Sequence, residues 1–546
     1  MNTHELADEL AAWSAASADG LWRRFMPTYS LPEFQFGART FAGTRSSLLE
    51  CLTAMHRAGI SAIAEQPLVK VVVDELRRID PRQCKTWWSL AVSDCLCAFG
   101  DRFLGHPLLA DLSEGQRRAV AQACDTTHVV DRSTGKLIGH PVNYWIVVLR
   151  CEHNRLRLGL TDDLAIFEYA RAGCREALGQ GNSFMDDSEE GRGRYDTYAG
   201  HGVAATLELP DELGEFAPRF VTAWEGLLRA CSREDGGSIA WGRSGGHCSM
   251  QDLLSRGSAI LAAEMSQEPD VLAGLCLAAA RALMRDWWRD DALSLHRGRH
   301  PHWYFGTGRV LERSVHIISS LCQAAVALRR APAIEICEDP AVLYPQQSRF
   351  IAFDERGPGV WCVRKGDLRF QVPLTDGFTS DYVAAPVWPG CFEQVSDRGH
   401  PCGVPVVEAG GKRWLPLRRP EAVSHCQDGL RWTTPCWSHL VDWDWWKGGE
   451  DRPGSRQVHL AVDGDTIVGQ EVWTFAEVPE AVGFWFAESL TPISVEWTCP
   501  HAHLATTVVT DGMADWQSHY HPIRRLHQIE IEPALEMRLQ YRLRLA

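Results

Sequence analysis

A change of hydrophobic period near residue 332 constrains this chain more than any other feature. Up to about residue 330 the apolar residues recur at helical spacing, as in Leu48-Leu49-Cys51-Leu52-Met55, Trp87-Trp88-Leu90-Ala91-Cys95-Leu96-Phe99 and Ile317-Ile318-Leu321-Ala324-Val326-Leu328. Counting such segments predicts roughly twelve helices, broken at Gly105-His106-Pro107, Gly139-His140-Pro141 and Leu209-Pro210-Asp211. Beyond Pro332-Ala333-Ile334 the period falls to two, for example in Leu368-Arg369-Phe370-Gln371-Val372, Arg456-Gln457-Val458-His459-Leu460 and Gln528-Ile529-Glu530-Ile531-Glu532. Turn residues separate these stretches about every ten positions, the texture of an antiparallel sandwich.

Helices with no strands between them must bury their stripes against one another. No self-similar repeat is evident, which favours a closed ring of helical hairpins over an open solenoid. The expected fold is multidomain, α then β: an (α/α) toroid, complete or incomplete, over residues 1–335, and an antiparallel β-sandwich over 336–546. At 546 residues the chain is long enough for two such cores.

Charge and composition narrow the function. A formal charge of −15 disfavours a broad nucleic-acid surface, which needs clustered Lys and Arg. It leaves room for a small anionic substrate held by two or three local Arg residues. No apolar run approaches a membrane span, and the acidic start Met1-Asn2-Thr3-His4-Glu5 carries no export signal. The 18 cysteines form no CxxC pair and are expected as reduced core residues of a cytoplasmic protein. The oligomeric state is left open, a homo-oligomer included.

Three stretches of the helical half set polar residues beside aromatic ones. His140-Pro141-Val142-Asn143-Tyr144-Trp145 opens a helix, where the plainer role of Asn143 is a cap. The second runs from Phe184 through Asp186-Asp187-Ser188-Glu189-Glu190 to Tyr195-Asp196-Thr197-Tyr198 and His201. Tyr198 and His201, three apart, share a helical face, as do Tyr195 and Tyr198. Crowded carboxylates raise each other's pKa toward the range of a proton donor, unless they are simply a solvated loop. The third is Asp235-Gly236-Gly237, then Trp241-Gly242-Arg243, whose guanidinium beside an indole suits a sugar carrying a carboxylate. His302 and Tyr304, in His302-Trp303-Tyr304-Phe305, have similar character. Asp186-Asp187-Ser188-Glu189-Glu190 also matches the DDxxE pattern of isoprenoid cyclases, although a β half is foreign to that class.

Taken in order, Asn143 before Trp145, Phe184 with the acidic residues after it, Tyr195-Asp196-x-Tyr198 with His201, and Asp235-Gly236 with Gly242-Arg243 resemble one toroid family. That family was first catalogued as a domain of unknown function and includes exo-acting β-glucuronidases. It is similar in turn to the heparinase II/III-like and alginate lyases. The resemblance implies a glycoside or small saccharide substrate containing uronic acid. As a hydrolase, Asp187 or Asp196 and Asp235 would be the carboxyl pair and Arg243 would grip the substrate. As a lyase acting by β-elimination, Asn143 would neutralise the uronate, with Tyr198 and His201 moving protons. Trp145, Tyr195, Trp241, His302 and Tyr304 complete the expected substrate-binding set. A single Asn at 143, where the family often shows a pair, departs from the pattern. A non-catalytic glycan-binding protein is the remaining alternative.

In the β half, Trp443-Asp444-Trp445-Trp446 suits sugar stacking or core packing. His501/His503 and His519/His521 are two HxH pairs whose imidazoles would share a strand face. Solvated histidines are the plainer expectation, and a structural zinc the sharper one.

Overall fold

Two helical patterns occur up to residue 330, and they sort the helices into two layers. A computed structural model describes every residue except 26–36, 84–85, 180–182, 189–192, 243–245, 294–306, 356, 377–382, 393–401, 440–449, 511–522 and 546. Twelve helices of eight residues or more lie among the described residues. They are α1 (Thr3–Phe25), α2 (Gly37–Arg57), α3 (Leu68–Arg77), α4 (Thr86–Phe99), α5 (Glu114–Ala123), α6 (Tyr144–Leu158), α7 (Ala165–Gly179), α8 (His201–Glu208), α9 (Ala217–Cys231), α10 (His247–Ala262), α11 (Pro269–Ala282) and α12 (Thr307–Arg330). Helix α7 buries one stripe, Ile166, Ala170, Cys174 and Leu178, at a spacing of four. Helix α10 is buried nearly all round, including Asp252 and Arg256.

The contacts follow from that difference. The even-numbered helices touch in a circuit: α2 on α4, α4 on α6, α6 on α8, α8 on α10, α10 on α12, and α12 back on α2. Each odd-numbered helix packs on one of them: α1 on α12, α3 on α2, α5 on α4, α7 on α6, α9 on α8 and α11 on α10. Two apolar cores result, and α1 and α12 contribute to both.

The first strands after the helices belong to the interface. Strands β1 (Gln347–Ala352), β2 (Gly359–Lys365) and β3 (Leu368–Leu374) form an antiparallel sheet, and Phe353, Val360 and Cys362 join the core built by α6 to α11. The remaining eleven strands form one antiparallel sheet. These are β4 (Val406–Ala409), β5 (Lys412–Leu415), β6 (Glu421–Cys426), β7 (Gly429–His439), β8 (Asp451–Asp463), β9 (Thr466–Phe475), β10 (Ala481–Glu488), β11 (Ile493–Thr498), β12 (Ala502–Val509), β13 (Arg525–Ile531) and β14 (Glu536–Leu545). Their order is β11-β14-β9-β8-β7-β5-β4-β10-β13-β12, with β6 beside β7.

Phe484 on β10 packs against Trp473 on β9 (5.6 Å) and Tyr541 on β14 (5.7 Å), and Phe486 against Trp497 on β11 (5.8 Å), all at the opposite end of the sheet. The sheet therefore folds over and encloses its own core. No helix among the described residues is long and apolar enough to cross a membrane.

One ion pair sits inside that core. Arg456 meets Glu471 through two bonds of 2.8 Å and donates to the carbonyls of Gly403 (2.8 Å) and Ala384 (3.2 Å). Trp473 Nε1–H also donates to Glu471 (2.7 Å). Removing one member strands a buried charge, so Glu471→Ala is expected to cost about 3–5 kcal/mol. The double change Arg456→Met with Glu471→Leu removes the stranded charge and should recover part of that loss in urea unfolding, the remainder being the Gly403 and Ala384 carbonyls and the Trp473 N–H left unpaired. Equal destabilisation by the single and the double change would refute this account.

Candidate active site

The first turns of α6 and α8 bring together residues that are far apart in sequence. Asn143 precedes α6 with helical dihedrals (φ −59°, ψ −19°) and makes no side-chain cap bond. Its side chain turns instead toward α8, where Nδ2 lies 3.4 Å from His201 Nδ1. Asn143 N–H donates to Asp187 Oδ1 (3.3 Å). Asn143 Oδ1 is buried and has no hydrogen-bond partner among the described residues.

The Tyr198–His201 pair has a local cause. Asp196 caps a 3-10 turn, Thr197–Gly200, by accepting the Tyr198 N–H at 2.8 Å, and α8 continues from that turn. The two rings meet edge to face with centroids 5.4 Å apart. Asn143, Asp187 and Asp196 are buried, whereas Tyr198 and His201 are only half-buried. The groups suited to moving protons are thus the ones that solvent reaches.

Two cations lie behind this pair. Burial, with the charges of Arg256 and Arg150, pushes His201 down to about 3, so its imidazole is neutral at working pH. Burial lowers Arg256 to about 9, opposed by Asp196 and Tyr198, so it remains a cation at neutral pH. Arg256 pairs with Asp252 one turn earlier on α10 and lies over the Trp224 ring at 5.1 Å. Arg150 on α6 pairs with Glu208 on α8 (2.8 Å) and faces Glu50 on α2, which burial raises to about 8.

The other expected residues are placed variously. Tyr195 is buried and its hydroxyl donates to Asp354 of the β half (2.8 Å), so it does not share the face of Tyr198. Trp241 is buried and its Nε1–H donates to the Tyr195 carbonyl (2.8 Å). Trp145 packs on α7, where a Cβ at Gly173 would sit 2.5 Å from its indole. Asp235 is held by Arg233 through two bonds of 2.9 Å. Asp186 accepts from the Ser188, Gly193 and Arg194 amides, which makes it a loop organiser rather than a solvated charge. Arg243, His302, Tyr304, Glu189, Glu190, His519, His521 and the 443–446 tryptophans lie outside the described residues. His503 is on β12, and His501 lies in the turn before it. Among the described residues no group of three or more His, Cys, Asp or Glu is arranged for a metal ion.

Sequence reasoning missed Arg256. Its only signal was the Asp252/Arg256 spacing of four, which surface helices share. It also missed an aromatic rim, where exposed Trp87 opens α4 and donates to Tyr144 Oη (3.2 Å), and Tyr144 stacks on His140 at 4.3 Å.

A solved fold matches this one. The Streptomyces coelicolor A3 chondroitin AC lyase, in complex with chondroitin sulphate, aligns over 98% of this chain and 79% of its own, with a TM-score of 0.51 and 13% identity. At that identity the likeness concerns the fold. A tyrosine-to-alanine variant of the same enzyme (TM-score 0.46, 13% identity, 98% and 79% covered) and a heparinase III (0.25, 9%, 91% and 90%) also align, too weakly to add to it. No family model and no curated protein matches the chain.

The depressed His201 has a consequence for stability. Between about pH 6.5 and pH 3 the unfolded chain protonates this histidine and the folded chain does not. Its contribution to stability is therefore lost as pH falls through that window and is flat above it. Urea midpoints measured from pH 7 to pH 4 should fall less steeply for His201→Gln than for the native protein. Parallel slopes would show that His201 titrates normally in the fold.

Proposed function

We propose that this chain is a carbohydrate-active enzyme that cleaves a uronic-acid-containing glycan by β-elimination. In this reading residues 1–335 form an (α/α) toroid carrying the site, and residues 336–546 a β-sandwich that backs it. The observation that carries it is Asn143: a buried carboxamide that forgoes its capping role, lies against His201, and leaves one end unpartnered among the described residues. The matched fold, that of a chondroitin lyase crystallised with its glycan, agrees with it.

The chemistry follows from the four side chains. Turning the Asn143 amide exchanges its ends: Oδ1 then accepts from His201 Nδ1–H, and the Nδ2–H donors are free for a uronate carboxylate. Neutralising that carboxylate acidifies the adjacent C–H. With Nδ1 protonated, His201 Nε2 carries the lone pair that takes that proton; burial leaves it uncharged at neutral pH and lowers its basicity. The C–H electrons become the new C=C bond, the C–O bond breaks, and the Tyr198 hydroxyl protonates the departing oxygen. Arg256 offsets the negative charge that develops on the tyrosine oxygen. His201 then returns its proton to Tyr198. The Trp87–Tyr144 rim offers an aromatic face for a neighbouring sugar.

Hydrolysis, the first expectation from the sequence, needs two available carboxyl groups. Asp187 stays a candidate because it is buried beside Asn143, but Asp235 is already engaged by Arg233.

The test incubates the full chain with chondroitin, hyaluronan, heparosan and oligouronates and follows ultraviolet absorbance of the unsaturated product. Activity should fall at least about 100-fold in Tyr198→Phe and in His201→Ala, and comparably in Asn143→Ala, while Asp235→Asn retains it. New reducing ends without absorbance, lost in Asp187→Asn, would establish hydrolysis instead.

A further inference from the structure

One side chain of the β half holds the loop that ends at Trp241 and Gly242. Gln371, on β3 and 1% exposed, accepts the Ala240 N–H through Oε1 and donates from Nε2 to the carbonyls of Cys231 and Ser238, all at 2.9 Å. A carboxamide is suited to this because it accepts at one end and donates twice at the other. The next two residues pass the constraint on. Trp241 Nε1–H donates to the Tyr195 carbonyl (2.8 Å). Gly242, at φ +84°, runs so close to Asp196 that a Cβ there would lie 2.7 Å from the aspartate Cβ. Asp196 in turn caps the turn bearing Tyr198.

The other flank of the same segment is also held from the β half. Asp354 accepts the Tyr195 hydroxyl, and Phe353 packs on Tyr195 (4.9 Å) and Phe184 (5.1 Å). The Tyr195–Tyr198 segment is thus clamped between Trp241–Gly242 and the turn after β1.

We propose that Gln371 is a positioning residue for Tyr198, acting through Ala240, Trp241–Gly242 and Asp196. The inference rests on Asn143, Tyr198 and His201 being the reacting group. A fully satisfied buried network is stiff, and losing its donors leaves the Cys231 carbonyl unpaired and the Ser238 carbonyl with only the longer Arg233 bond (3.5 Å). Gln371→Glu keeps the length and one acceptor and removes both donors. Gln347 is the natural control. Its Nε2 also crosses between the halves, to the Ala230 carbonyl at 2.9 Å, but it lies one step outside the 231–242 loop.

The experiment uses the full-length protein with Gln371→Glu, Gln371→Asn and Gln347→Ala. A displacement near 1 Å at a reacting group costs on the order of 100-fold in rate, so kcat should fall about 10- to 100-fold in Gln371→Glu with KM within about twofold. Hydrogen exchange, read by mass spectrometry, should speed up in peptides covering 193–200 and 238–242 and stay native in α2 and α4. Gln347→Ala should behave as the native protein in both. Unchanged exchange at 193–200 in a folded Gln371→Glu, or an equal loss of kcat in Gln347→Ala, would overturn the proposal. Should Gln371→Glu not fold, Gln371→Asn, whose amide is kept on a shorter stem, decides by the same two readouts. A native protein inactive on every uronate defeats the proposed reaction and leaves the exchange measurement to judge the positioning.

Discussion

The return of α12 onto α2 is the contact on which the site depends. A row of helices left open would have no reason to hold the starts of α6 and α8 in register with the middle of α10. Closure makes each even-numbered helix a neighbour on both sides, so a shift of one helix is resisted by all the others. The cost is that these helices bury polar faces as well as apolar ones. Glu50, Arg150, Asp252 and Arg256 all lie on even-numbered helices; Arg256 is retained by pairing with Asp252 and Arg150 by pairing with Glu208, whereas burial raises Glu50 to about 8. A cluster of polar side chains inside the helices is therefore a direct product of the packing.

The β half completes this constraint. Its first three strands share a core with the helices, and its side chains reach the segment that carries Asp196 and Tyr198. The larger sheet needs its own internal support, because two faces must stay closed over aromatic residues from opposite ends. Arg456 and Glu471 bridge β8 and β9 and tie the carbonyls of Ala384 and Gly403 to them. The two halves thus differ in what burial demands: the helices bury charge around a site, and the sheet buries one pair to hold loops.

What could be read from the sequence divides along physical lines. The change of period near residue 332 lies between α12, which ends at Arg330, and β1, which begins at Gln347. The i, i+3 spacing of Tyr198 and His201 carried directly into a shared face. Asn143 was placed beside them only by the order of motifs, because nothing local distinguishes a capping Asn from one that faces a histidine. Spacing misled for Tyr195, which lies before the turn rather than in it and whose hydroxyl donates to Asp354. It was silent on Trp145, whose direction is set by the gap that Gly173 leaves on α7. Arg256 and Gln371 were illegible for a common reason: each acts across a distance in the chain that no local pattern records. Asp235 looked available because its partner, Arg233, is only two positions away and reads as loop.

A formal charge of −15 says little about any one site, because charges act over short distances. Exposed carboxylates are screened within about 8–10 Å at physiological salt, whereas buried cations act with little screening. Arg256 and Arg150 are the charges that bear on His201, the first buried and the second part-exposed. Burial does most to keep the imidazole neutral, and their charges add to it. The neighbouring Glu50, raised to about 8, is protonated at neutral pH and so adds no opposing charge there. The same desolvation that depresses a base also neutralises an acid, whereas Arg256 and Arg150 stay charged beside Asp252 and Glu208. The net charge of the molecule and the local charges around His201 are set by different physics.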